Sequence, residues 1–205
     1  MMLLPNIFHK YRCMKPSLFF TCLFLFIFST VQSAAQSKKF DTTVKMGEQG
    51  FRVECNNKNA DKNEVTVSPI NLQVSGRKPS FSVYGKVLNA FTDDMNDDGR
   101  PDLAICVYSG DNDAIGSVVA ISYNADKGFD PIFFPDIYLD AKIREGYKGY
   151  DVFSPLTGTL MRKFPVYMPG DAADKPTGGT RVVQYKAMME NGRQSFKVLR
   201  SYDTK

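Results

Sequence analysis

Phe91-Thr-Asp-Asp-Met-Asn-Asp-Asp-Gly-Arg-Pro-Asp-Leu-Ala-Ile-Cys-Val-Tyr108 is the stretch that decides the fold. Its end, Leu103 to Tyr108, is a continuous apolar run of strand length, as expected of a central strand covered on both faces. The residues leading into it, Ser80 to Phe91, carry β-branched and aromatic side chains in alternation, the period of a half-buried strand. The acidic segment between them is turn chemistry: Asp and Asn side chains cap nearby amides, and Gly accepts a positive φ. Strand, turn, strand is therefore the unit to extend in both directions.

Working outward, Val118 to Ile121 is a second continuous apolar run, and Phe51-Arg-Val-Glu-Cys55 alternates apolar and charged residues. Glu64 to Ile70, Thr159 to Tyr167, Arg181 to Met188 and Ser195 to Tyr202 read as further strands. Asn56-Asn57, Asp98-Gly99, Asn124 to Gly128, Pro169-Gly170-Asp171 and Pro176 to Gly179 supply the turns between them. Helical periodicity is weak throughout, with one short turn expected around Asp136 to Ile143. The expectation is an all-β chain with little helix, one domain, folded as an antiparallel sandwich or barrel.

The start of the chain reads differently. Lys10, Arg12 and Lys15 precede an apolar run from Leu18 to Phe28, and Ser33, Ala34 and Ala35 follow it. A basic start, a short apolar middle and a small-residue exit are the pattern of a secretory signal peptide. The run is well short of the roughly 20 residues that a membrane-spanning helix needs. Residues 1–35 are thus expected to be a leader and residues 36–205 the mature domain, periplasmic or secreted and without a membrane anchor. Neither Cys13 nor Cys22 sits after small residues at the end of the run, so a lipidation site is not indicated.

Cleavage there removes three basic residues from 26, leaving 23 against 22 acidic ones and a charge near +1. It also removes His9, the chain's one histidine. Ser-His-Asp catalysis, Cys-His pairs and His-ligated zinc are then excluded, and a near-neutral balance gives no electrostatic case for nucleic acid. Cys55 and Cys106 remain, each in an expected strand. They are candidates for one disulfide, which export permits, or for two buried thiols acting as small hydrophobes.

In the acidic segment, Asp94, Asn96 and Asp98 stand two apart, Gly99 follows and Asp102 closes the series. That spacing matches positions 1, 3, 5, 6 and 9 of a calcium-binding loop, in which hard oxygen ligands wrap one cation. The bidentate Glu of an EF-hand is missing, since Ile105 lies at position 12. The other reading is an acidic β-turn whose side chains cap its own amides. No cofactor is required on either reading; calcium is the one that the spacing suggests.

From this turn onward the chain resembles the periplasmic inhibitors of invertebrate-type (i-type) lysozyme. The matching blocks are Asp98-Gly-Arg-Pro-Asp102, Gly116-Ser-Val-Val-Ala120, Gly146-Tyr-Lys-Gly-Tyr-Asp151, Arg162-Lys-Phe-Pro-Val-Tyr167, Gly170-Asp171, Lys175-Pro-Thr-Gly-Gly-Thr-Arg181 and Gln184-Tyr-Lys186. The resemblance implies a single antiparallel β-sandwich of about eight strands. It also implies binding rather than catalysis, by a loop that enters the active-site cleft of an i-type lysozyme. The corresponding segment is Ser109-Gly-Asp-Asn-Asp-Ala-Ile-Gly116, so Ser109, Gly110, Asp111, Asn112, Asp113, Ile115 and Gly116 are the candidate partner-binding residues. Ile115 stands where the family has tyrosine, and Asp111 to Asp113 replaces a Gly-Ser-Gly stretch. Lysozyme clefts act through carboxylates, so Asp111 and Asp113 are expected to meet like charge there, at a cost of several kcal/mol if held close. A calcium-steadied adhesion or glycan-binding module on the same scaffold is the second function considered, and a glycosidase using paired acids the third.

Overall fold

The computed structural model describes residues 38–74, 78–126 and 128–205; the expected leader, residues 1–35, lies outside the described residues. In chain order the strands are β1 (Phe40–Met46), β2 (Gln49–Cys55), β3 (Asn63–Ile70), β4 (Ser80–Val83), β5 (Lys86–Asp93), β6 (Asp102–Ser109), β7 (Ile115–Asn124), β8 (Gly128–Phe133), β9 (Val152–Pro155), β10 (Leu160–Pro165), β11 (Thr180–Glu190) and β12 (Arg193–Thr204). The rest of the described secondary structure is two short 3-10 turns, Asp111–Asp113 and Ile137–Leu139, the second inside the segment expected to turn helically.

The chain is all-β, but its strands exceed the expected eight and fall into two unequal sheets. One has the order β1-β2-β3-β4; the other runs β5-β6-β7-β8-β12-β11-β10-β9. Pairing is antiparallel except between β8 and β12, where two residue pairs, Gln194 with Ile132 and Ser195 with Phe133, run parallel. The large sheet curls: its end strands β5 and β9 come into contact. Every one of its eight strands sends side chains into one enclosed core, among them Phe91, Cys106, Val118, Ile132, Phe153, Phe164, Tyr185 and Phe196. The small sheet covers the outside of β5, β6 and β7, where Phe51, Val53, Val65 and Val67 meet Val87, Leu103, Ile105 and Val107. A curled, nearly closed sheet with a second sheet laid on its flank replaces the expected single sandwich.

This layering explains the apolar run of β6. Leu103, Ile105 and Val107 face the core between the sheets, while Ala104 and Cys106 face the enclosed core. Both faces of the strand are dry, so neither needs polar residues. In β5 an irregularity between Val87 and Asn89 resets the alternation. Val87 and Ala90, three apart, then share the outer core while Phe91 turns inward. Asn57 fastens the small sheet to β5: its side chain accepts from the Val87 amide at 2.9 Å and donates to the Val87 carbonyl at 2.8 Å.

The same geometry separates the cysteines. Cys55 lies in the core between the sheets and Cys106 in the enclosed core, and both are free thiols. The disulfide considered from sequence is not formed; the reading as two buried thiols describes them. Burial pushes the Cys106 thiol up to about 12, which keeps it protonated and unreactive. No helix among the described residues is long and apolar enough to cross a membrane.

Candidate functional site

The β6–β7 hairpin presents the loop singled out from sequence. Ser109 pairs with Ile115 across its base, and Tyr108 pairs with Gly116 one step below. Gly110 (φ 75°), Asn112 (φ 56°) and Asp113 (φ 53°) are left-handed. Gly adopts that conformation freely, and Asn and Asp tolerate it better than other residue types, so the tip has the residues its turn requires. The amides of Asp113 and Ala114 close the turn on the carbonyls of Gly110 and Asp111. Gly110, Asp111 and Asn112 are exposed, Ser109, Asp113 and Ile115 half-buried, and Gly116 buried.

Two expectations change here. Asp113 does not project from the tip: both its oxygens lie 3.0 Å from Lys86 Nζ on β5. Of the two tip aspartates, Asp111 is the exposed one. Ile115 is half-buried against the segment before β9, since a methyl group added at Gly149 would come within 2.9 Å of its Cδ1.

Beneath the hairpin is a buried polar network that the sequence reading did not find. Arg162, 1% exposed, enters the enclosed core from β10. Its Nε donates to Asp151 Oδ1 at 2.6 Å, and its Nη2 donates to the Gly116 carbonyl at 3.2 Å and the Tyr147 hydroxyl at 3.0 Å. Asp151 Oδ2 in turn accepts from the Gly116 amide at 2.7 Å and the Tyr147 hydroxyl at 2.5 Å. The guanidinium lies within 6 Å of the rings of Phe134, Tyr147, Phe153 and Phe164. Burial acts against the charged guanidinium, but Asp151 outweighs it and raises the Arg162 pKa above its ordinary value. Burial, joined by the bond to Asp151, likewise pushes the Tyr147 phenol upward. A charge pair out of water holds only when good geometry and added hydrogen bonds offset its desolvation.

The network fixes the loop's footing. Gly116 is clasped through both its amide and its carbonyl, and an added Cβ there would meet Asp151 Cβ at 2.6 Å and Phe153 Cε2 at 2.7 Å. The Tyr150 amide donates to the Ala114 carbonyl at 2.5 Å, with Tyr150 itself left-handed (φ 64°) and 46% exposed. An exposed aromatic thus emerges at the foot of the loop. The blocks Gly116–Ala120, Gly146–Asp151 and Arg162–Tyr167, dispersed in sequence, converge on this one support.

The acidic turn lies at the other end of β6. Asp94 accepts from the amides of Asp98 and Gly99, Asn96 Oδ1 from Asp98, and Asp98 from Arg100. Asn96 Nδ2 reaches across to Ser122 on β7 and Gln194 on β12. Asp97 pairs with Lys186 on β11 at 2.6 Å. Gly99 is left-handed, φ 79°. Asp102 is wholly buried; its Oδ2 accepts from the Met95 amide at 2.8 Å, while Oδ1 has no hydrogen-bond partner. Burial pushes the Asp102 carboxyl up to about 7, against the pull of the nearby Ser122 hydroxyl and the Met95 amide, with Asp98 and Asp94 adding to the rise. Among the described residues no three acidic, His or Cys side chains converge closely enough to hold a metal as they stand. Compared with known proteins, the chain matches no family model, no curated protein and no solved structure.

Proposed function

We propose that the protein is an exported binding protein that inhibits i-type lysozyme by inserting the β6–β7 loop into the enzyme's cleft. One observation supports this reading above the rest: the loop is clamped at its base by a buried hydrogen-bonded network while its tip stays exposed. A pre-shaped loop loses little conformational entropy on docking, which is how a small contact gains affinity. Ser109 supplies a hydroxyl beside the cleft and Gly110 a close backbone approach. Tyr150 supplies at the foot the rigid aromatic contact that Ile115 does not. Asp111 faces the enzyme's carboxylates and holds inhibition to a weak level.

The test is inhibition of i-, c- and g-type lysozymes by the mature protein, whose N-terminus is expected at Gln36. Weak inhibition confined to the i-type enzyme is expected. Tyr150→Ala should reduce it about tenfold or more, as for a typical aromatic interface residue. Asp111→Gly combined with Ile115→Tyr should strengthen it, while Asp113 is left in place to keep Lys86 paired. Failure of wild type and repaired protein alike against every lysozyme would overturn the proposal.

A further inference from the structure

The structure assigns to the turn between β5 and β6 a calcium site formed by Asp94, Asn96, Asp98, Asp102 and the Arg100 carbonyl. The spacing of these residues is that of a calcium loop, but spacing alone describes many solvated turns. The independent observation is Asp102. It is 0% exposed, and its Oδ1 makes no hydrogen bond among the described residues, although the Ser122 hydroxyl lies nearby. A buried carboxylate oxygen without a partner is costly and calls for a specific cause. Its other oxygen accepts from the amide of Met95, between the first two candidate ligands, which aims the carboxylate into the turn.

Electrostatics point the same way. The turn gathers Asp93, Asp94, Asp97, Asp98 and Asp102 within ten residues. Lys186 is committed to Asp97, and Asp93 accepts from the Gly158 amide. Asp94, Asp98 and Asp102 have backbone amides as hydrogen-bond partners, and their negative charges repel one another, each raising the cost of the others' charge. A divalent cation relieves that repulsion and supplies the missing partner of Oδ1. The donors are all oxygens, which suit calcium; with five protein oxygens, water completes the six to eight that the ion takes. The carboxylates do not converge as they stand, so binding requires Asp94 and Asp98 to exchange their bonds to the turn amides for the ion. Magnesium demands shorter, near-octahedral contacts and is disfavoured. This site is independent of lysozyme binding, because it lies at the opposite end of β6 from the loop.

The experiment uses the mature protein stripped with chelator. Calcium binding is measured by titration calorimetry, and thermal unfolding is followed in chelator, millimolar calcium and millimolar magnesium. One calcium per chain is expected, with a dissociation constant on the order of 10⁻⁴ to 10⁻³ M, and a melting temperature raised by calcium more than by magnesium. Asp102→Asn separates the ion from an ordinary buried acid. In chelator this variant should melt at or above wild type, since it removes the unpartnered charge; in calcium it should gain nothing. Asp98→Asn, at an exposed position, is the second variant and should weaken calcium binding at least tenfold. Absence of calorimetric binding at millimolar calcium, or an undiminished calcium shift in either variant, overturns the assignment.

Discussion

Replacing Asp151 by alanine strips three buried or half-buried donors of their acceptor at once: Arg162 Nε, the Gly116 amide and the Tyr147 hydroxyl. The Tyr147 hydroxyl is the least costly, because it can rotate toward solvent. The Gly116 amide has no alternative acceptor in the network, and an unsatisfied buried donor costs about 1–3 kcal/mol. The guanidinium retains the Gly116 carbonyl and the Tyr147 oxygen but loses its counter-charge inside a ring of aromatic side chains. Breaking a buried ion pair from one side costs about 3–5 kcal/mol, and that range covers the sum here because the terms overlap. Denaturant unfolding of wild type, Asp151→Ala and Asp151→Asn measures it. The asparagine variant should fall between, since its carbonyl can replace one of the two acceptor oxygens. A loss below about 1 kcal/mol for alanine would refute the idea that this network holds the loop's footing.

Three further outcomes are expected. Gly116→Ala should destabilise the protein by about 1–3 kcal/mol in the same assay, through overpacking against Asp151 and Phe153. Cys55 and Cys106 should both react with an alkylating agent under denaturing conditions without prior reduction and neither in the folded protein, as mass spectrometry will show. The Asp171 carboxyl is held below its ordinary value of 3.8 by the Thr177 and Met168 amides. Its folded pKa is lower than its unfolded one, so its contribution is complete above that ordinary value and is lost as pH falls toward the folded value. Asp171→Asn should therefore flatten the acid limb of a stability-against-pH curve.

Much of the strand pattern was legible because burial imposes a period. The run Leu103–Tyr108 read as doubly covered, and β6 is dry on both faces. Strands β1, β8 and β9 were missed for identifiable reasons. Strand β1 is an edge strand without a fully buried residue, β8 contains Pro131, and β9 is four residues long. The single strand expected from Ser80 to Phe91 is broken at Tyr84-Gly85, where an added Cβ on Gly85 would meet the Tyr108 carbonyl at 2.3 Å. That close approach is a tertiary fact with no local signature. Arg162 did leave a trace: it sits between Leu160 and Phe164 at an inward position of an alternating strand. A charge on the dry side of a strand implies a buried partner, though not which one. Asp151 is eleven residues away, at the end of the block Gly146–Asp151. The cysteines illustrate the remaining limit, since two apolar strand positions do not reveal which of two cores each one faces.

The two-pair parallel contact between β8 and β12 bears on how the molecule assembles. Every antiparallel pair in both sheets joins strands adjacent in sequence. The chain is therefore three successive meanders, β1–β4, β5–β8 and β9–β12, whose pairings are local in sequence, the longest internal connection being residues 166–179 between β10 and β11. The β8–β12 seam, the side-chain cores and polar ties such as Asn57–Val87, Arg162–Gly116 and Lys186–Asp97 bind the meanders to one another. The middle meander, β5–β8, alone borders both cores, so each of the other two completes its core only against it. In a chain delivered N-terminus first, β1–β4 has no supporting face until β5–β7 follows, and the enclosed core is incomplete until β9–β12 arrives.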